Sequence, residues 1–426
     1  MSIIIQNGRL LDPASNTDRL ADIKLEGTTV TSIAAPGSLT PSPDDEVIDA
    51  TDHWVVPGLI DMHASLREPG EEYKETIATA SQAAVAGGFT TVVAMPDTTP
   101  TIDHAEQVHF VRKRGAEAGL CRILPTGAIT TGRQGAALAP LAEMQKAGAV
   151  ALTDSGRSVA DSQLMRSALE YSTDFNMPIL SHAEDSALAC KGHMHEGPVS
   201  TRMGLRGIPD VAEASMVARD ILLAEFTGGQ LHLCHVSSAR AVELIEAAQG
   251  RGVKVTAEVA AHHLVLTDEA VEGYNTAAKL NPPLRSEADR AALIEAVKHG
   301  VIQAITSDHA PHNSVQKDLT FANADFGAIG LQSALPNALT LHHQHGVKPL
   351  TLLACLTSGP ASILGLTTGT LQQGAPADLT IIAPNANWEF TPELNLSKSQ
   401  NSLFLGKELK GRVVKTITDG RVVFSL

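Results

Sequence analysis

Residues 57–70 read PGLIDMHASLREPG, and the reading of this stretch decides the fold. A Pro-Gly turn delivers a short apolar run that ends on His63, with Ser65 and Arg67 just beyond. Such a run, bounded by turn residues, reads as a strand covered on both faces. Seven more runs of this texture follow: FTTVVAMP, CRILPTGAI, AVALTDS, PILSHAE, QLHLCHVSS, VKVTAEVAAHH and IQAITSDHAP. Segments of helical periodicity separate several of them, among them KETIATASQAAVAGG, DHAEQVHFVRKRGAEAG, ARAVELIEAAQG and ALIEAVKHG. Eight buried strands with intervening helices predict an α/β protein built on a (β/α)8 TIM-type barrel.

The two ends have another texture. Residues 1–57 are strand-like with Gly and Asp punctuation and no amphipathic helix, and the region after about residue 358 returns to β patterning. The expected division is a small β-domain made of 1–57 and 359–426, with the barrel over 58–358. A length of 426 residues accommodates both, and 43% hydrophobic with 19% charged residues is an ordinary globular balance.

A formal net charge of −15 argues against nucleic acid or an anionic membrane surface as partner, since both demand a basic face. Cys121, Cys190, Cys234 and Cys355 are far apart and form no CxxC, which fits reduced thiols better than a disulfide framework. No apolar run approaches a membrane span and the start has no signal-peptide pattern, so a cytoplasmic location is expected.

In a barrel of this kind the chemistry lies at the carboxyl ends of the strands. His63 ends strand one, Asp154 and Ser155 end strand four, His182 ends strand five, His235 ends strand six and Asp308 ends strand eight. A lone strand-end histidine is usually just a hydrogen-bonded residue. Three histidines and a carboxylate at matching strand ends instead point to a metal-assisted hydrolase.

Several motifs resemble the dihydroorotase family of cyclic amidohydrolases: PGLIDMH (57–63), LREPG (66–70), MPDTTP (95–100), SHAED (181–185), NPPLR (281–285), SDHAPH (307–312) and FGAIG (326–330). They are spread over almost the whole chain. The resemblance implies two metal ions and a proton-carrying aspartate that interconvert carbamoyl-aspartate and dihydroorotate. It makes His63 the first histidine of a His-x-His pair, His182 and His235 the ligands of a second ion, and Asp308 both ligand and proton shuttle. Arg67, Asn281 and His312 match the pocket for the substrate's carboxylate and ring.

Three positions depart from that pattern. Ser65 stands for the second histidine, Ser155 for the bridging acid, and Asp97 for an asparagine. A serine hydroxyl is a weak neutral donor, and two cations held close together need an anionic bridge. An ionised Asp97 would repel a substrate carboxylate. The expectation is therefore a noncatalytic dihydroorotase homologue with no catalytic residue, no functioning substrate pocket and no metal. His63, His182, His235 and Asp308 would be vestigial ligand positions, with Asp308 the vestigial shuttle; Arg67, Asp97, Asn281 and His312 would be a vestigial pocket. Resemblance to the noncatalytic chains of aspartate carbamoyltransferase implies a structural or regulatory role beside that enzyme's catalytic chain in pyrimidine biosynthesis. The alternative is an active zinc-dependent dihydroorotase with an unorthodox mononuclear site built from His63, His182, His235 and Asp308.

Other polar features have blander readings. His193 and His195 lie in a glycine-flanked connection, and His342, His343 and His345 read as a solvated helix end. His262-His263 reads as packing at the barrel mouth, and Lys74 and Lys113 as solvated helix faces.

Overall fold

In the computed structural model, which describes residues 2–426, seventeen strands follow one another along the chain. The first five are β1 (Ser2–Asp12), β2 (Thr17–Glu26), β3 (Thr29–Ala34), β4 (Glu46–Asp49) and β5 (Trp54–Pro57). Then come β6 (Leu59–Ala64), β7 (Phe89–Ala94), β8 (Arg122–Pro125) and β9 (Ile179–Ser181). A short pair, β10 (Met194–His195) and β11 (Gly207–Ile208), precedes β12 (Leu231–Leu233), β13 (Val255–Ala260) and β14 (Ala304–Thr306). The chain ends with β15 (Leu379–Glu389), β16 (Glu408–Thr418) and β17 (Arg421–Ser425).

The barrel wall is parallel throughout. β6, β7 and β8 pair in that order, as do β9, β12, β13 and β14. Leu152 supplies the fourth stave through bridges to Gly127 and Ile179, so the run AVALTDS contributes a single bridged residue. Closure comes from the bridge Ala64↔His309 and the bond from Ser65 N to His309 O at 2.8 Å. Every residue of β6 and β7 is buried, as a sheet covered on both faces requires. Met62, Val93, Met95, Ala151, Leu180, Cys234 and Ala304 form an apolar cluster in the barrel. A larger apolar layer joins the strands to helices such as Ile77–Ala86, whose start is fixed by a Thr76–Thr79 capping box.

Both chain ends enter one sheet of order β17-β16-β15-β5-β1-β2-β3, with β4 beside β1. β5 runs antiparallel to β15, pairing Pro57 with Leu379, and Gly58 then turns the chain into the first barrel strand. That junction fixes where β6 begins, and so where His63 points. Arg122 at the start of β8 pairs with Asp378 and Asp419, which ties barrel to sheet. No helix is long and apolar enough to cross a membrane among the described residues.

Two expectations of solvated side chains are corrected. Lys74 is buried and pairs with Glu71 Oε1 at 2.6 Å, because the helix begins only at Ile77 and the preceding turn folds inward. His342 packs edge-on against Trp54 with centroids 5.5 Å apart, and His343 Nε2 lies 3.0 Å from Pro384 O. Their helix end is therefore packed against neighbouring segments.

Candidate functional site

The carboxyl ends of the strands bring the predicted residues to one mouth. His63, Ser65, Arg67, Asp97, Arg133, Ser155, His235, Asn281 and Asp308 line a cavity of about 200 Å³. His182 lies beside His235, with His182 Nδ1 3.1 Å from His235 Nε2. His63 and His235 have ring centroids 5.0 Å apart. His312 stands behind the wall, its Nε2 3.4 Å from Arg67 Nη2. Both His235 and Asp308 have positive φ (35° and 47°), a conformation unusual outside glycine that clusters at functional sites.

Each imidazole is set by its surroundings. Nδ1 of His63 lies 2.9 Å from Glu258 Oε1, so donating that proton leaves Nε2 toward the cavity, 3.4 Å from Ser155 Oγ. Burial works to keep His63 neutral, but its contacts with Cys234 and Glu258 outweigh that and hold its pKa well above the ordinary value. Glu258 is also fully buried, which alone would raise its pKa; hydrogen bonds to His232 and His63 bring it down to about 2. Burial pushes the Cys234 thiol up to about 12. Ligand atoms of His63, Cys234 and Glu258 lie within 4.8 Å of one another, but Glu258 already engages His232 Nε2 at 3.2 Å and His235 N at 3.3 Å. The cluster is thus an anchor for the rings.

His182 and His235 go the other way. Burial first, then the positive His63, lowers His182 to about 4; burial and His182 lower His235 well below its usual range. Both are neutral near pH 7, and a neutral imidazole has one lone pair to offer a cation. Burial raises the Asp308 carboxyl to about 7, with the charge of His63 opposing. His262 Nε2 lies 3.8 Å from Asp308 Oδ2, so the histidine pair after β13 does pack at the mouth.

The substrate-pocket positions are occupied among themselves. Arg67 Nη1 meets Asp97 Oδ2 at 2.7 Å, and Ser65 Oγ donates to the same oxygen at 2.8 Å. Burial would raise Asp97, but Arg67, Arg133 and Ser65 keep it below its usual value and therefore ionised. Ser65 thus serves the Asp97 carboxylate. Asp154 is turned away from the cavity, accepting from Thr130 N and Thr130 Oγ1, and so holds the loop that carries Arg133. Buried polar atoms here that lack a hydrogen-bond partner include His182 Nε2, His262 Nε2, Asp97 Oδ1 and Asn281 Oδ1. Such orphans are uncommon in folded interiors, and these atoms are open to a ligand or an ordered water.

Two of these donors, His182 and His235, are spaced to share one zinc ion. The 3.1 Å separation of His182 Nδ1 and His235 Nε2 resembles that of two nitrogens sharing a tetrahedral ion, roughly 3.3 Å for bonds of about 2.0–2.1 Å. His63 and Asp308 supply the kinds of ligand that would complete the set, with metal entry releasing the His63 proton.

Two residues that matter here are absent from the sequence reading. Glu258 left a signal, being a carboxylate in the otherwise apolar strand VTAEVA. Arg133 left little: it sits in the glycine-flanked loop TTGRQG, and only the tertiary fold brings it to the cavity.

Comparison with known proteins agrees with this geometry. The family model described as Dihydro-orotase-like matches residues 52–241. Proteins named dihydroorotase from Syntrophotalea carbinolica and Pelobacter propionicus are 47% and 46% identical, each alignment covering 100% of both chains. L-hydantoinase (dihydropyrimidinase) from Arthrobacter aurescens superposes with a TM-score of 0.88 at 25% identity, over 99% of this chain and 96% of that one. Dihydropyrimidinase from Brevibacillus agri gives 0.84 at 22% identity, over 100% and 95%. Full-length relatives that carry an enzyme's name overturn the expectation of an inactive chain and point to an active enzyme. The expectation rests on Ser65 as a missing histidine and Ser155 as a missing bridge between two ions. In the fold, His63, His235 and Asp308 line one cavity and His182 packs against His235.

Proposed function

The chain belongs to the dihydroorotase family, and from that premise we propose that it is a zinc-dependent dihydroorotase with a mononuclear site formed by His63, His182, His235 and Asp308. The carrying observation is that His63, His235 and Asp308 line one cavity with Arg67 and Arg133, and that His182 Nδ1 stands 3.1 Å from His235 Nε2. When bound, zinc would act as a Lewis acid toward the ring carbonyl and activate the attacking water.

The chain's own residues do the rest. Arg67 and Asn281 orient the substrate, Arg67 through its carboxylate and Asn281 through the open oxygen Oδ1. Asp308 at the cavity wall takes the proton of the attacking water and returns it to the departing ring nitrogen. Water adds across the ring amide: a C–O bond forms, the C–N bond breaks, and the acyl carbon becomes a second carboxylate. Glu258 holds His63 in one orientation throughout. The test is dihydroorotate ring opening by the purified chain, measured beside Asp308→Ala with zinc content determined for both. Turnover that Asp308→Ala abolishes supports the reading; turnover unchanged by that substitution removes Asp308 from it.

A further inference from the structure

Of the two arginines lining the cavity, Arg133 is the one that makes no ion pair among the described residues. Arg67 is matched by Asp97 at 2.7 Å and Glu71 at 3.7 Å. Arg133 has no carboxylate within ion-pair distance among the described residues. Its Nε donates to Asp154 O at 2.9 Å and its Nη2 to Ser155 O, which leaves Nη1 without a protein partner. A half-buried guanidinium held at a cavity by carbonyl oxygens feels Asp97 only at a distance, and an anion in direct contact would complete it.

The loop is built to keep it there. Arg133 and Gly132 both have positive φ (55° and 61°), and Gly132 N is fixed by Asp103 Oδ2 at 2.8 Å. Arg157 Nη1 donates to Arg133 O at 3.1 Å, and Asp154 holds Thr130 by its backbone N. A non-glycine residue kept in the left-handed region by this many bonds is placed with some strain, as at ligand clamps.

We propose that Arg133 is a second carboxylate anchor, so that this cavity selects dicarboxylates over monocarboxylates: Arg67 takes one carboxylate and Arg133 the other. The inference rests on the dihydroorotase reading only for its natural ligand. Ring opening creates a second carboxylate beside the metal ligands, and Arg133, which lines the same cavity, would share that group in the open-chain carbamoyl-aspartate. A planar fork of donors suits such an anion better than a lysine does.

The experiment is titration calorimetry on the full chain without added metal, comparing wild type with Arg133→Gln and Arg133→Lys. Succinate and butyrate serve as probes that the ring-opening reaction does not touch; carbamoyl-aspartate and dihydroorotate are the second pair. Arg133→Gln is expected to weaken succinate and carbamoyl-aspartate by about tenfold or more, as for loss of a charge-assisted contact. Butyrate and dihydroorotate should change little, and Arg133→Lys should recover part of the loss. Equal weakening of all four ligands, no weakening, or no succinate binding to wild type would overturn the assignment. Because this readout is equilibrium binding, absence of turnover would count against the dihydroorotase reading and leave the succinate result standing.

Discussion

Replacing Asp97 by asparagine should tighten substrate binding, and the structure gives the size of the effect. The Asp97 carboxylate sits 2.7 Å from the Arg67 guanidinium and is ionised, so a substrate carboxylate arriving on Arg67 meets a like charge already in place. Two unit charges about 4 Å apart at an effective dielectric near 20 repel by roughly 4 kcal/mol, a factor of about 1000 in affinity. The mouth is open to solvent, and Arg133 offsets part of that field, so about 10- to 100-fold is the expected gain. Asparagine keeps the volume and can still accept from Ser65 Oγ and Arg67, so the fold should survive with an unchanged melting temperature. The assay is steady-state kinetics with dihydroorotate, supported by calorimetric Kd values at low and high salt. KM should fall while kcat moves little, since uniform binding is what changes. A KM that stays the same or rises would refute the reasoning and make the Arg67–Asp97 pair part of the binding surface.

Three further outcomes follow from particular contacts. Glu258→Gln removes the anion behind His63 and His232, so zinc affinity measured by chelator competition should drop about 10- to 100-fold; unchanged affinity would remove Glu258 from the support of His63. Gly70 has φ 96°, and a Cβ there would lie 1.8 Å from Thr99 O, so Gly70→Ala should cost about 2–4 kcal/mol in denaturant unfolding; a loss under about 1 kcal/mol would contradict this. Lys317 is buried and its pKa falls from 10.5 to about 8, chiefly by desolvation, while Nζ donates to Asp325 O and Gly327 O. Below pH 8 both folded and unfolded states carry the charge and the folded state bears the full penalty. Between pH 8 and 10.5 the unfolded chain binds more protons, so stability gains about 3 kcal/mol from this group as pH rises. Lys317→Met should lose that slope, and equal slopes for the two proteins would contradict the account.

The barrel was legible because its strands are short apolar runs ending in polar residues, a pattern that buried parallel strands impose on a sequence. AVALTDS carries the same signal yet forms only the bridges of Leu152, since apolar patterning reports burial and not ladder length. His63, His235 and Asp308 were legible as strand ends facing the mouth. Asp154 looked equivalent, but a carboxylate two residues past Leu152 is free to turn, and it turns to Thr130. Ser65 read as a missing ligand, and its bond to Asp97 depends on a partner 32 residues away. Arg133 and the pairing of Glu258 with His63 across 195 residues are tertiary facts with no local period to betray them.

The proposed mononuclear site requires one zinc ion per chain, and titration of zinc into the metal-free chain during dihydroorotate ring opening measures that requirement. Activity should climb linearly and break at one zinc per chain, with carbamoyl-aspartate as product. Zinc bound at that stoichiometry with no ring opening in either direction would contradict it.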